Sequence, residues 1–256
     1  MKKITLYIFS VIALSACTKV INIDLNSSNE QIVVEAKIAD DALPCTVKLT
    51  KTVNFSNPNM FPAVQGAVVK ISDGTTTETL IETAAGVYKT TSMLGVSGKT
   101  YSLSIVAEGK NITAVSTMPA AVPLDTILFL KSRFGNQNGE ETYTTIPRFQ
   151  DPITPGNNYR FIQTINDSLD KTFSVDNDNL TNGLPYRRPN FTQGPKIRMG
   201  DSVHFEMQCI DRPIFDYFTS LNSNATTTPS NPVTNIVGAL GYFSAHTVVR
   251  KSIQVK

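Results

Sequence analysis

The stretch GKTYSLSIVAEGKNITAVST, residues 98–117, reads as two strands joined by a turn. Tyr101, Leu103 and Ile105 fall on one face of the first strand, 100–107. Glu108-Gly109 make the turn, and 111–117 return. A tyrosine that opens a strand ahead of inward-pointing Leu103 and Ile105 matches a tyrosine corner, in which the phenol ties an intersheet loop to the backbone of a β-sandwich.

The same period continues upstream. Ile32, Val34, Ala36 and Ile38 alternate with Glu35 and Lys37, and Cys45, Val47 and Leu49 alternate with Thr46, Lys48 and Thr50. Strand-like runs at 66–72, 77–82 and 86–91, punctuated by Asp73-Gly74 and Gly86, complete a set of short strands with regular turns. The expectation is an immunoglobulin-like or fibronectin-type sandwich over 30–119. TMPAAVPLD, 117–125, then interrupts pairing, because each proline fixes an extended backbone and lacks an amide donor. A domain boundary is expected there.

The second unit, 124–256, is expected to be β-rich, with strands at 125–132, 142–149, 157–166, 202–210 and 240–255 and one short helix near 212–223. The helix follows from Asp211 as N-cap, a proline in the first turn, and Ile214, Phe218 and Leu221 on one stripe. Composition agrees with a mainly β chain, with 14 Gly, 14 Pro and no Trp.

The amino end has a different character. Met1-Lys2-Lys3, an apolar run from Ile4 to Leu14 and small residues before Cys17 form a secretory leader over 1–16. The run is short of the roughly 20 residues that span a bilayer. Leu14-Ser15-Ala16-Cys17 is similar to a bacterial lipobox, so Cys17 is the expected lipid attachment site and 17–29 a tether; several acyl chains on one residue hold a protein stably at a membrane. Loss of the leader removes Lys2 and Lys3, which balances the 23 basic against the 21 acidic side chains and leaves no net charge for holding nucleic acid. The expected location is the outer membrane, on either its periplasmic or its outward face.

Catalytic chemistry has little to build on, and no catalytic, cofactor-binding or metal residue is assigned. The chain has two histidines, His204 and His246, both on polar strand faces where exposure is the ordinary expectation. MLGVSGKT ends like a phosphate loop but has Met93 where the first glycine belongs. DNDNLTNG, 176–183, spaces Asp176 and Asp178 like a calcium loop, but its twelfth position is Arg187, and a solvated turn is expected. Cys45 and Cys209 face the apolar sides of strands in different units and are expected to be free thiols. Two further features invite function. The loop 54–65 carries Met60 and Phe61 between prolines, either to dock on a partner or to seal the end of the sandwich. Thr126, Ser168 and Ser202 each follow an aspartate and precede an apolar residue, which resembles the O-glycosylation acceptor of Bacteroidota.

Several stretches, in order, resemble the Bacteroidota lipoprotein family known as domain of unknown function 4249: CTKVINIDLN (17–26), GAVVKISDG (66–74), GVYKT (86–90), GKTYSLSI (98–105), STMPAAVPLDTI (116–127), DSVHFEMQCID (201–211), YFTSL (217–221) and NPVTNIVGALGYFSA (231–245). Residues 131–200 match loosely. The resemblance implies an outer-membrane lipoprotein with an immunoglobulin-like amino-terminal part, accessory to a TonB-dependent receptor in uptake or surface recognition. The function expected is non-enzymatic binding or assembly with such a receptor. The alternatives are a direct glycan or peptide binder, with Tyr143, Tyr159, Tyr186 and Phe191 as stacking faces, and a hydrolase with an unrecognised site.

Overall fold

The computed structural model describes residues 30–53, 60–132, 141–224 and 231–256, so the leader, Cys17, the tether and residues 54–59 of the docking loop lie outside the described residues. The protein is mainly β. The first half supplies β1 (Ile32–Ala39), β2 (Thr46–Lys51), β3 (Val68–Ser72), β4 (Thr77–Thr79), β5 (Ile81–Ala84), β6 (Val87–Lys89), β7 (Thr100–Ala107) and β8 (Lys110–Thr117). The second half supplies β9 (Thr126–Lys131), β10 (Tyr143–Gln150), β11 (Asn158–Ile165), β12 (Ser168–Leu169), β13 (Ser174–Asn177), β14 (Pro185–Tyr186), β15 (Ser202–Ile210), the helix α1 (Arg212–Asn224), β16 (Ile236–Val237) and β17 (Leu240–Gln254).

Among the described residues these strands form three sheets. The largest has nine strands, in the order β12-β11-β15-β17-β1-β2-β6-β5, with β13 also on β11. A five-stranded sheet, β16-β8-β7-β3-β4, packs against its first-half portion, and a three-stranded sheet, β14-β10-β9, belongs to the second half. The run read as one strand over 77–82 is two. Its chain passes between sheets at buried Leu80, so that β4 pairs with β3 and β5 pairs with β6.

The decisive element is β17. Its first part runs parallel to β1, from Val33 opposite Leu240 to Ala39 opposite His246. Its second part runs antiparallel to β15, from Cys209 opposite Thr247 to Ser202 opposite Gln254. One strand therefore crosses from the sandwich of residues 30–119 into the sheet of residues 124–256. Ile236, Phe243 and Ala245 are buried in the first core with Val34, Leu49, Ile71 and Leu103. Phe149, Tyr159, Phe161, Tyr186, Phe205 and Met207 build the second core.

Polar side chains lock this arrangement. The Asn235 amide donates to the carbonyls of Val115 (3.1 Å) and Phe243 (2.7 Å) and accepts from the Phe243 amide (3.0 Å), so it bridges β8 and β17. Asp211 caps α1 through the Ile214 amide (3.3 Å) and accepts from the Ser116 hydroxyl (2.7 Å) and the Thr117 amide (3.0 Å), which ties the helix to β8. Tyr101 is fully buried, and its oxygen accepts from the Val96 amide at 2.7 Å, as a tyrosine corner requires.

Candidate functional site

The alternation of β17 places Tyr242, Ser244, His246, Val248 and Arg250 on the face of the large sheet that lies away from both cores. Register brings Glu35 and Lys37 of β1, and Glu206 and Gln208 of β15, to the same face. That face is covered rather than bare. At one end α1 packs Ile214, Tyr217 and Phe218 onto it beside Tyr242. At the other end the chain leaving β1 folds back, with Asp40 accepting from the Val248 amide at 2.8 Å and Ala42 held at a φ of 60°.

Between these covers runs a chain of polar contacts. Arg160 of β11 lies with its guanidinium 3.9 Å from the Phe218 ring centre and is hydrogen-bonded to Tyr242. Burial pulls its pKa down, against the phenol of Tyr242 and the carboxylate of Glu206. The Gln208 amide donates to Glu206 at 2.6 Å. Arg250 then clamps two carboxylates, reaching Glu206 at 2.6 Å and Asp41 at 2.7 Å. Burial would raise the Asp41 carboxyl, but the bonds from Arg250 and the Leu43 amide hold it below its ordinary value.

A cavity of about 230 Å³ opens beside this clamp, lined among others by Lys37, Asp41, Lys89, Glu206, His246 and Arg250. His246 forms part of its wall and is only 4% exposed, contrary to the expectation of a surface histidine. The reason is the cover that α1 and the 40–43 turn lay over a face which alternation alone marks as outward. Burial depresses its pKa to about 4, so the ring is neutral near pH 7. His204, by contrast, is exposed and bonded to Ser252 at 2.7 Å.

The other expected features are distributed over the fold. Met60 is 76% and Phe61 58% exposed, so these two side chains do not seal the sandwich; Val64 is buried in its core in their place. The return of this loop is pinned by Lys51 donating to Pro62 and Val64 to Leu49. Ser168 is exposed, while Thr126 and Ser202 are half-buried. Asp176 and Asp178 are not a solvated turn. Asp176 holds Arg188 and the Tyr186 phenol, and Asp178 is buried under the amides of Gly156 (2.7 Å) and Asn157 (2.9 Å), its charge consumed by structure. Cys45 and Cys209 are free and buried in separate cores, and burial pushes the Cys45 thiol up to about 12. Tyr159 and Tyr186 are not stacking faces either: both are core residues, their phenols bonded to Asp151 and Asp176. Phe191 remains 74% exposed, beside a groove of about 700 Å³ that Phe173 and Asn222 also line.

Comparison with known proteins gives a family. The family model described as domain of unknown function (DUF4249) matches residues 18–252. No curated protein matches the chain.

Proposed function

The chain belongs to the DUF4249 family, and from that premise we propose that it is a lipid-anchored binding protein of a Bacteroidota outer membrane, accessory to a TonB-dependent receptor and without catalytic activity of its own. The observation that carries the reading is the pair Met60 and Phe61, two large apolar side chains exposed to solvent beside the sandwich. Such a pair is a contact surface for another protein. The leader and Cys17 supply the anchor that would hold it beside a membrane receptor. Charge balance in the mature chain agrees with a protein partner in place of nucleic acid.

The test is a crosslinked pull-down from native outer membranes with a tag at Lys256, comparing the wild-type chain with Cys17→Ala and with a Met60→Ser/Phe61→Ser double variant. The expected result is a TonB-dependent receptor recovered only with the wild-type protein. Recovery unchanged by the double variant removes the pair from the interface. No recovery from membranes rich in the anchored protein ends the accessory reading. Direct glycan or peptide binding is the second reading, favoured by the groove that carries Phe173 and Phe191. It predicts retention on a glycan or peptide array that Phe191→Ala abolishes.

A further inference from the structure

We propose that the cavity beside the Arg250 clamp is a binding site for a small organic or inorganic anion, in which His246 donates from the floor and Lys37 and Lys89 close over the charge. This goes beyond the receptor-accessory reading and does not depend on it.

The argument begins with proton accounting. Ser244 is buried, and its hydroxyl meets one partner among the described residues, His246 Nδ1 at 3.0 Å. A buried hydroxyl hydrogen needs an acceptor, and Nδ1 is the one within reach, so Ser244 donates and Nδ1 accepts. In a neutral imidazole the remaining proton then sits on Nε2. The one hydrogen bond of the ring among the described residues is made by Nδ1, which leaves Nε2 free, and the ring lines the cavity. The helix α1 and the 40–43 turn thus bury an imidazole and leave one of its N–H groups at the wall of an open cavity.

The charges around the cavity select the ligand. Arg250 is matched by Asp41 and Glu206 and has no charge to spare. Lys37 and Lys89 line the same cavity, both exposed, and neither forms an ion pair among the described residues. Two free ammonium groups and one imidazole N–H are donors without acceptors. Their complement is a compact anion, a carboxylate or a phosphoryl group, and a space of about 230 Å³ holds a molecule of a few heavy atoms, not a polymer. Arg250 bonds both carboxylates that could repel it and offsets one of their two charges, so the lining carries three cations, Lys37, Lys89 and Arg250, against two anions, Asp41 and Glu206.

Binding of an anion to Nε2–H should favour the imidazolium and so take up a proton, strengthening as pH falls from 7 toward 5. The groups facing the ring are Lys37 of β1, Asp41 of the turn after it, Arg160 of β11, Glu206 of β15, and Arg250 of β17, with Lys89 of β6 across the cavity. Among these, the cations oppose ring protonation in the free protein and the anion would offset them.

The chain's two histidines make the test direct. The full-length chain, isotope-labelled at histidine, is titrated with succinate, with inorganic phosphate and with uncharged succinamide while the ring resonances of His246 and His204 are followed. The expected result is saturable movement of the His246 signals with a dissociation constant of about 1 mM or tighter, none with succinamide, and an upward shift of the His246 titration. His204 serves as the internal control. A response to succinate alone assigns a carboxylate ligand, and a response to phosphate alone assigns a phosphoryl ligand. Lys37→Gln and Lys89→Gln alter exposed side chains and should leave the fold intact, yet each should weaken binding about tenfold. His246 signals that stay still with both anions, or affinity indifferent to both lysine variants, would overturn the proposal.

Discussion

At the scale of single residues, His246 carries the sharpest consequence. Its neutral form is built into the fold, with a pKa lowered from 6.5 to about 4 by burial. As pH falls through 6.5 the unfolded chain takes up a proton that the folded chain refuses until about pH 4, so stability is present above 6.5 and is lost toward 4. The His246→Gln variant keeps a polar group and removes this linkage. The stability gap between wild type and variant should shrink by about 3 kcal/mol between pH 7 and pH 4 in denaturant titrations. Comparison with the variant cancels the carboxyls that burial raises, such as Asp211 and Asp151, which act with the opposite sign. A constant gap across that range would mean that the ring is hydrated. Residues also mark where sequence reading reached its limit. Tyr101 was legible because its corner is local, closing onto Val96 five residues away. Tyr159 and Tyr186 look like surface aromatics, since the partners that satisfy their phenols in the core, Asp151 and Asp176, carry no sequence mark of that role. Alternation alone puts His246 at the surface, because it shows which face of a strand a residue occupies and not what covers that face.

At the scale of elements, β17 is set by one glycine. Gly241 has a φ of +101°, and a Cβ there would lie 1.9 Å from the Val34 carbonyl oxygen. The parallel approach of β1 and β17 thus excludes a side chain at this point. Gly241→Ala should cost about 3 kcal/mol or more, from backbone strain and steric overlap together, seen as a lowered unfolding midpoint. A neutral result would show that the two strands pair elsewhere along their lengths. The individual strands were legible from alternation, as was α1 from Asp211 and its apolar stripe. Their partnerships were less so. A hairpin such as β7–β8 announces itself by its turn, whereas β1 and β17 stand about as far apart as the chain allows and share no turn. A long alternating strand also gives no sign of the residue at which its neighbour changes. That change falls between His246 and Thr247, where the partner passes from β1 to β15.

At the scale of the whole molecule, the two cores are joined by this strand and by the Asp211 contacts, so they should unfold together. Amide exchange of β1 and of β15 should proceed through one global opening with equal protection. A chain ending at residue 234 would lose Ile236, Phe243 and Ala245 from the first core as well as the partner of β15. Burial of Phe243 alone is worth about 2–3 kcal/mol, so residues 30–119 should not fold as a separate unit. Two independent transitions by calorimetry would refute that. The parallel registration of β1 with β17 also has a mechanical meaning. Tension drawn between the amino end of β1 and the carboxyl end of β17 acts along both strands in opposite senses, loading their shared hydrogen bonds in shear, all at once, instead of peeling them one at a time. A molecule held by one end at a surface and tugged at the other would meet that load with its strongest geometry.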